Sequence, residues 1–366
     1  MKRGYIQLED GTRFDGYSFG AEKNTVGEVV FNTAMNGYPE SLTDPSFMGQ
    51  ILVETYPMIG NYGMPSNTFT PEGISDLLES DKIWIQGLIV TNYSTQYSHW
   101  NAATSLQQML IAEGIPALSD IDTRALTKHL REKGCCKGKI IIEDVAKSPI
   151  DEHFEERNLI KEASCKEVIK YGAGDTTIIF IDCGTKHNIL RKLQRPGYTV
   201  IRVPWDYDFT NIAYDGVFIS NGPGNPIHAD KTIQILRKAF DIGKPIWGIC
   251  MGNQLLALAA GAKITKMKYG HRSHNQPVQH CNSKKCYITS QNHSFVVDPS
   301  TLPSEWEELF INLNDGTNEG ICHKSKPFAS VQFHPECCGG PTDTLFFFND
   351  FLETVDKYKK LSRHEA

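Results

Sequence analysis

Cys250 stands between Gly248 and Gly252, at the end of the apolar run 244–249 and just before the helix-forming stretch 255–260. Gly-x-Cys-x-Gly at a strand-to-helix junction is the pattern of a nucleophile elbow, a sharp turn that holds one side chain out at its tip. A side chain at either flanking glycine would collide across so tight a turn. The helix that follows aims its first N–H groups at the sulfur, which favours the nucleophilic thiolate. Taken alone, such a cysteine is more often a packing residue than a reactive one.

A base and its partner lie downstream. Residues 328–333 read as a strand running into His334-Pro335-Glu336. In extended chain, side chains two apart share a face, so His334 and Glu336 point the same way. Pro335 removes a ladder donor, as suits a strand end. Imidazole can take the thiol proton and return it to a leaving amine near neutral pH. A carboxylate beside it fixes the tautomer and stabilises the imidazolium. Upstream, a buried-strand pattern at 215–220 leads into Asn221-Gly222-Pro223-Gly224. Successive glycines there let backbone N–H groups turn toward an oxyanion.

These parts need a scaffold, and the surrounding pattern supplies one. Strand-like segments at 178–181, 199–203, 216–220 and 246–249 alternate with helix-forming segments at 189–194 and 231–240. That alternation predicts an α/β domain with a mostly parallel sheet flanked by helices and active groups at the strands' C-terminal ends. The first 145 residues differ in texture: Glu9-Asp10-Gly11 marks a hairpin and further turn signals recur through Pro65, as in a domain of mixed β/α type. Asp122 and Arg124 are as readily a structural ion pair as anything chemical. The expected divisions are a domain at 1–145, a linker at 146–175, a domain at 176–360 and a tail at 361–366. The linker holds the charge-rich, helix-like 151–157 and the hinge Gly172-Ala173-Gly174-Asp175.

With these segments quoted, a resemblance emerges. Gly-Ile-Cys-Met-Gly-Asn-Gln, Ser-Asn-Gly-Pro-Gly and His-Pro-Glu, in that set across 178–355, resemble the signatures of class I, triad-type glutamine amidotransferases. The resemblance implies Cys250 as nucleophile, His334 as base and Glu336 as its orienting acid. It also implies that Gly222 and Gly224 line the substrate region, that Met251 offers its N–H to the oxyanion, and that Gln254, Asn292, Ser294 and Phe295 hold glutamine. The first half, with segments 27–38, 42–47, 54–57, 60–63 and 121–127, is similar to the N-terminal domain of the small, glutaminase subunit of carbamoyl-phosphate synthetase. That likeness implies that this half supports docking to a large synthetase subunit and that Ser46 reaches the glutamine pocket. It further implies ammonia passed to that partner through an internal tunnel. ATP and its metal ions are expected on the large subunit, since no G-x-x-x-x-G-K-[ST] loop occurs here, so this chain is expected to carry no cofactor. Three departures touch the glutamine contacts: Asn253 where many relatives carry His, Ser294 where Gly is usual, and His271-Arg272-Ser273-His274 in place of a small-residue run.

Composition narrows the classes. The net charge is −6 with basic residues scattered, so no nucleic-acid surface is expected. No apolar run approaches the roughly 18 residues of a membrane span. Ten irregularly spaced cysteines in a long chain without a signal-peptide pattern suggest a reducing cytoplasm. Neither Cys337-Cys338 nor residues 271–274 show zinc-site spacing, so no metal is expected, and Cys337 is read as a packing residue open to oxidation. Two rival readings stay open: a catalytically silent docking or regulatory subunit of an ammonia-using synthetase, and a Cys-dependent peptidase on the same elbow.

Overall fold

The structure, a computed structural model, describes residues 2–145 and 156–364. Most of the charge-rich segment expected at 151–157 therefore lies outside the described residues. The chain divides into two compact units, Met1–Arg157 and Asn158–Ala366.

In the first unit the Glu9-Asp10-Gly11 turn joins Arg3–Leu8 to Arg13–Ser18 as an antiparallel hairpin, with Gly11 at φ 87°. Burial alternates along Arg3–Leu8, putting Ile6 and Leu8 inside. The sheet closes into a barrel whose strands run, in spatial order, Arg3–Leu8, Cys136–Ile142, Thr25–Asn32, Gln50–Glu54, Gly87–Ile89, Ala117–Ser119 and Arg13–Ser18. Closure leaves no unpaired sheet edge. Asp122 does not pair with Arg124. Its carboxylate instead accepts from the Ala125 N–H at 2.8 Å and caps the Thr123–Lys133 helix; a cap oxygen satisfies an otherwise orphaned donor, which an exposed ion pair does not.

The second unit is built on the parallel run Tyr198–Pro204, Thr176–Asp182, Gly216–Ile219, Ile246–Ile249 and Phe328–Val331. Near-continuous apolar burial marks these strands as covered on both faces. Alternation assigns the faces. Val217 and Ile219 pack with Leu236 and Leu255 of the Asp230–Ile242 and Met251–Ala260 helices. Phe218 points the other way, its ring 5.0 Å from Phe351 on the Phe346–His364 helix. The expected strands and helices of this unit fall where the sequence pattern puts them, to within a few residues.

One half of the sheet was not anticipated. Beyond Phe328–Val331 it continues antiparallel through Asn318–His323, Trp306–Asn312, Lys263–His280 and Cys286–Asp298. In the Lys263–His280 strand exposed and buried positions alternate irregularly, and register shifts interrupt its pairing with Cys286–Asp298. Such strands carry no clean period of two.

Candidate active site

The Ile246–Ile249 strand stops at Cys250, which sits at φ 54°, ψ −100° and caps the Met251–Ala260 helix. A non-glycine residue in this region is strained by about 1–3 kcal/mol and persists only where its surroundings over-determine it. Here they do. The Cys250 N–H donates to the Val331 carbonyl at 2.8 Å. A Cβ on Gly248 would lie 2.8 Å from the Gly252 carbonyl carbon, and one on Gly252 would lie 2.5 Å from the Ile219 oxygen. The elbow thus excludes side chains on both sides of the cysteine, as the sequence pattern predicts. Cys250 is 3% exposed, and its thiol faces the Asn292 carbonyl at 3.6 Å.

The neighbouring parallel strand, Phe328–Val331, delivers His334 and Glu336. It ends two residues short of the expected 333, so the pair does not meet along an extended chain. A turn through Pro335 brings His334 Nδ1 to 2.7 Å from Glu336 Oε1. Proline lacks an N–H and fixes its φ, which ends the ladder and closes that turn. The His334 N–H is anchored on the Ser290 carbonyl at 2.8 Å. With Nδ1 on the carboxylate, Nε2 is the ring nitrogen left for the thiol and the leaving group. It is buried and has no hydrogen-bond partner among the described residues. Bonds between nucleophile and base are often long before substrate arrives.

Sequence reasoning missed Lys186. It caps the His187–Leu193 helix just beyond the C-terminal end of Thr176–Asp182, the position where parallel sheets gather active groups. Its buried ammonium is 3.2 Å from His334 Nδ1 and 3.1 Å from Glu336 Oε1. Burial opposes the charge on His334, and so does Lys186, yet Glu336 and the Cys250 sulfur push the imidazole up to about 10. Burial likewise penalises the Glu336 carboxylate, but Lys186 and His334 draw it down to about 2. His334 is thus held between the Glu336 carboxylate and the Cys250 sulfur, with its protonated form favoured.

The remaining candidates surround this centre or lie elsewhere. Met251 occupies the first helical position, where a backbone N–H has no intrahelical acceptor. Gly222 and Gly224 follow the Gly216–Ile219 strand, which is the parallel neighbour of the elbow strand. A Cβ on Gly222 would strike the Cys183 oxygen at 2.2 Å, and Gly224 takes φ +82°. Gln254 donates through Nε2 to the Phe295 carbonyl at 3.0 Å, tying the elbow helix to the 292–295 segment. Ser294 does not need a glycine's backbone, since it is absent from the positive-φ positions, and its hydroxyl accepts from the Arg272 guanidinium. Asn253 is buried, donating to Gln332 and accepting from Ser330. Cys337 accepts from the Ser290 hydroxyl at 3.0 Å, close to His274. Ser46 belongs to the first unit, on the short turn Pro45–Phe47, where its N–H is held by the Asp44 carboxylate at 2.9 Å. Among the described residues no helix is long and apolar enough to cross a membrane.

Comparison with known proteins gives matches in both units. Residues 6–140 match the family model for the carbamoyl-phosphate synthase small chain, CPSase domain, and residues 179–354 that for class-I glutamine amidotransferase. The chain is 47% identical over 367 residues to the carbamoyl phosphate synthase arginine-specific small chain of Phaeosphaeria nodorum, covering 98% of this chain and 77% of that protein. It is 50% identical over 357 residues to the multifunctional protein CAD of Squalus acanthias, covering 96% of this chain but 16% of that protein. A third relative, the multifunctional protein pyr1-3 of Dictyostelium discoideum, is 49% identical over 376 residues, covering 97% of this chain and 17% of its own length.

Proposed function

Since the chain belongs to the carbamoyl-phosphate synthase small-chain family, we infer that it is the glutamine-hydrolysing component of such a synthase. The observation that carries the reading is the Cys250 elbow beside a buried His334–Glu336 pair.

Cys250 passes its thiol proton to His334 Nε2, and its sulfur attacks the side-chain amide carbon of glutamine, forming a carbon–sulfur bond and an oxyanion. Backbone N–H groups at Met251 and in the Gly222–Gly224 turn are suited to stabilise that charge. His334 gives its Nε2 proton to the amide nitrogen, the carbon–nitrogen bond breaks, and ammonia leaves. A glutamyl thioester remains. His334, now neutral, takes a proton from water as that water attacks the thioester, and glutamate departs from Cys250. Glu336 keeps the ring oriented and its charge compensated throughout. Gln254, Asn292, Ser294 and Phe295 form the wall that orients glutamine.

The ammonia is destined for a large synthetase subunit that makes carbamoyl phosphate from bicarbonate and ATP. The nucleotide and its metal ions belong to that partner, and a cytoplasmic setting fits the free thiols. The test is a pair of variants, Cys250→Ser and His334→Asn, assayed in the complex. Both should abolish glutamine-dependent synthesis while ammonia-dependent synthesis survives. Loss of both activities would remove the support for these roles.

A further inference from the structure

The 292–295 wall has a second face. Side chains alternate along the Cys286–Asp298 strand, so Gln291 and His293 lie opposite Asn292 and Ser294. There His293 meets His271, its cross-strand partner on Lys263–His280, and Glu319 from Asn318–His323. All three are buried, and Glu319 is fully so. Glu319 Oε1 lies 3.4 Å from His271 Nδ1 and 3.9 Å from His293 Nε2. Gln291 Oε1 lies 2.8 and 3.2 Å from the same two nitrogens. Ligand atoms about 2.0–2.1 Å from one tetrahedral ion are spaced roughly 3.3 Å apart, the scale seen here.

The protons point the same way. His271 Nε2 faces the Asp315 carboxylate at 2.8 Å, and His293 Nδ1 faces the Phe295 carbonyl at 3.0 Å. Each outer nitrogen meets an acceptor, so the tautomer with its N–H on that side leaves a lone pair on the inner nitrogen. Thr289 Oγ1 donates to the Gln276 carbonyl at 2.9 Å, so it accepts from Gln291 Nε2 at 3.1 Å and turns the amide oxygen inward. Asn312 Nδ2 donates to Glu319 Oε1 at 3.0 Å and approaches His271 Nδ1 at 3.5 Å, but Glu319 Oε2 is buried with no partner among the described residues. Converging lone pairs of this kind are satisfied by a cation. A carboxylate or carbonyl behind each ligating histidine is also the usual outer shell of a metal site.

We propose that His271, His293 and Glu319, with Gln291 Oε1 as fourth ligand, bind a divalent transition ion of the zinc type. Two imidazoles, a carboxylate and an amide oxygen suit zinc rather than a hard cation such as magnesium. Burial leaves no position open to substrate, so the ion is structural, clamping three strands behind the glutamine wall. His271 is separated in sequence from both other ligands, which is why spacing alone gave no metal signal.

The test uses the full chain, dialysed metal-free and titrated with Co²⁺ and then Zn²⁺. One Co²⁺ per chain should bind with tetrahedral visible bands and no thiolate charge-transfer band, and Zn²⁺ should displace it and raise Tm. His271→Asn should abolish this. Asp315→Asn, at a half-exposed position that does not threaten the fold, should weaken binding about 10- to 100-fold. No stoichiometric binding, thiolate bands, or unchanged binding in folded His271→Asn would each overturn the proposal.

Discussion

Lys186 Nζ lies 3.1 Å from Glu336 Oε1, the same oxygen that His334 Nδ1 holds at 2.7 Å. The carboxylate thus serves two cations in a buried pocket. Removing one member of such a set leaves an uncompensated charge, which costs far more than the pair contributes.

Lys186 lowers the pKa of both neighbours, so Lys186→Met should raise both. The imidazolium, already held to about 10, will persist to higher pH, and the alkaline limb of the glutaminase pH profile will move up. An acid that keeps its proton more tightly is slower to give it to the departing amide nitrogen, so kcat should fall by about 10-fold or more. A pH–rate profile checks this; an unmoved or lowered alkaline limb would contradict it.

Gly252→Ala tests the elbow. Its Cβ would meet the Ile219 carbonyl oxygen at 2.5 Å and carbonyl carbon at 3.1 Å, backbone atoms that cannot swing aside as a side chain can. We expect a loss of about 1–3 kcal/mol in unfolding free energy, the usual cost of overpacking, and near-complete loss of glutamine hydrolysis. Denaturant titration and glutamate release measure the two effects.

Ser294→Gly removes one of the acceptors of the Arg272 guanidinium without changing a residue of the triad. Loosening a wall that binds ground state and transition state alike should raise KM with little change in kcat. A kcat loss exceeding the KM change would show that Arg272 is felt at the reacting centre.

How far the sequence carried the reading follows from the kind of signal involved. The elbow was legible because strand, turn and helix are contiguous around Cys250, and glycines two residues away report directly on steric crowding. The parallel core was legible because its strands are short apolar runs punctuated by helices. Lys186 was hidden because a lone lysine far upstream of Cys250 looks like any solvated lysine until the sheet brings it to His334. The Lys263–His280 and Cys286–Asp298 hairpin was hidden by its broken register. His334 and Glu336 were read correctly as a pair for a reason only partly right, since a turn rather than an extended strand joins them.

Glu54 gives a prediction about stability in the first unit. Burial pushes its carboxyl up from 4.5 to about 8, although Asn32 donates to it at 3.1 Å. The folded state therefore favours the protonated form. Its contribution is fully present below pH 4.5 and is lost as pH rises through 8, at up to about 1.4 kcal/mol per pH unit. Glu54→Gln should flatten that decline, leaving the variant relatively more stable at pH 8 than at pH 5. Equal pH dependence of the two denaturation midpoints would contradict it.

The most direct test of the glutaminase assignment is glutamate release from glutamine by this chain, measured alone and then with its large subunit, ATP and bicarbonate. We expect a slow rate that rises steeply on assembly and vanishes in Cys250→Ser. No glutamate release in either state would contradict it and leave the chain a docking or regulatory subunit.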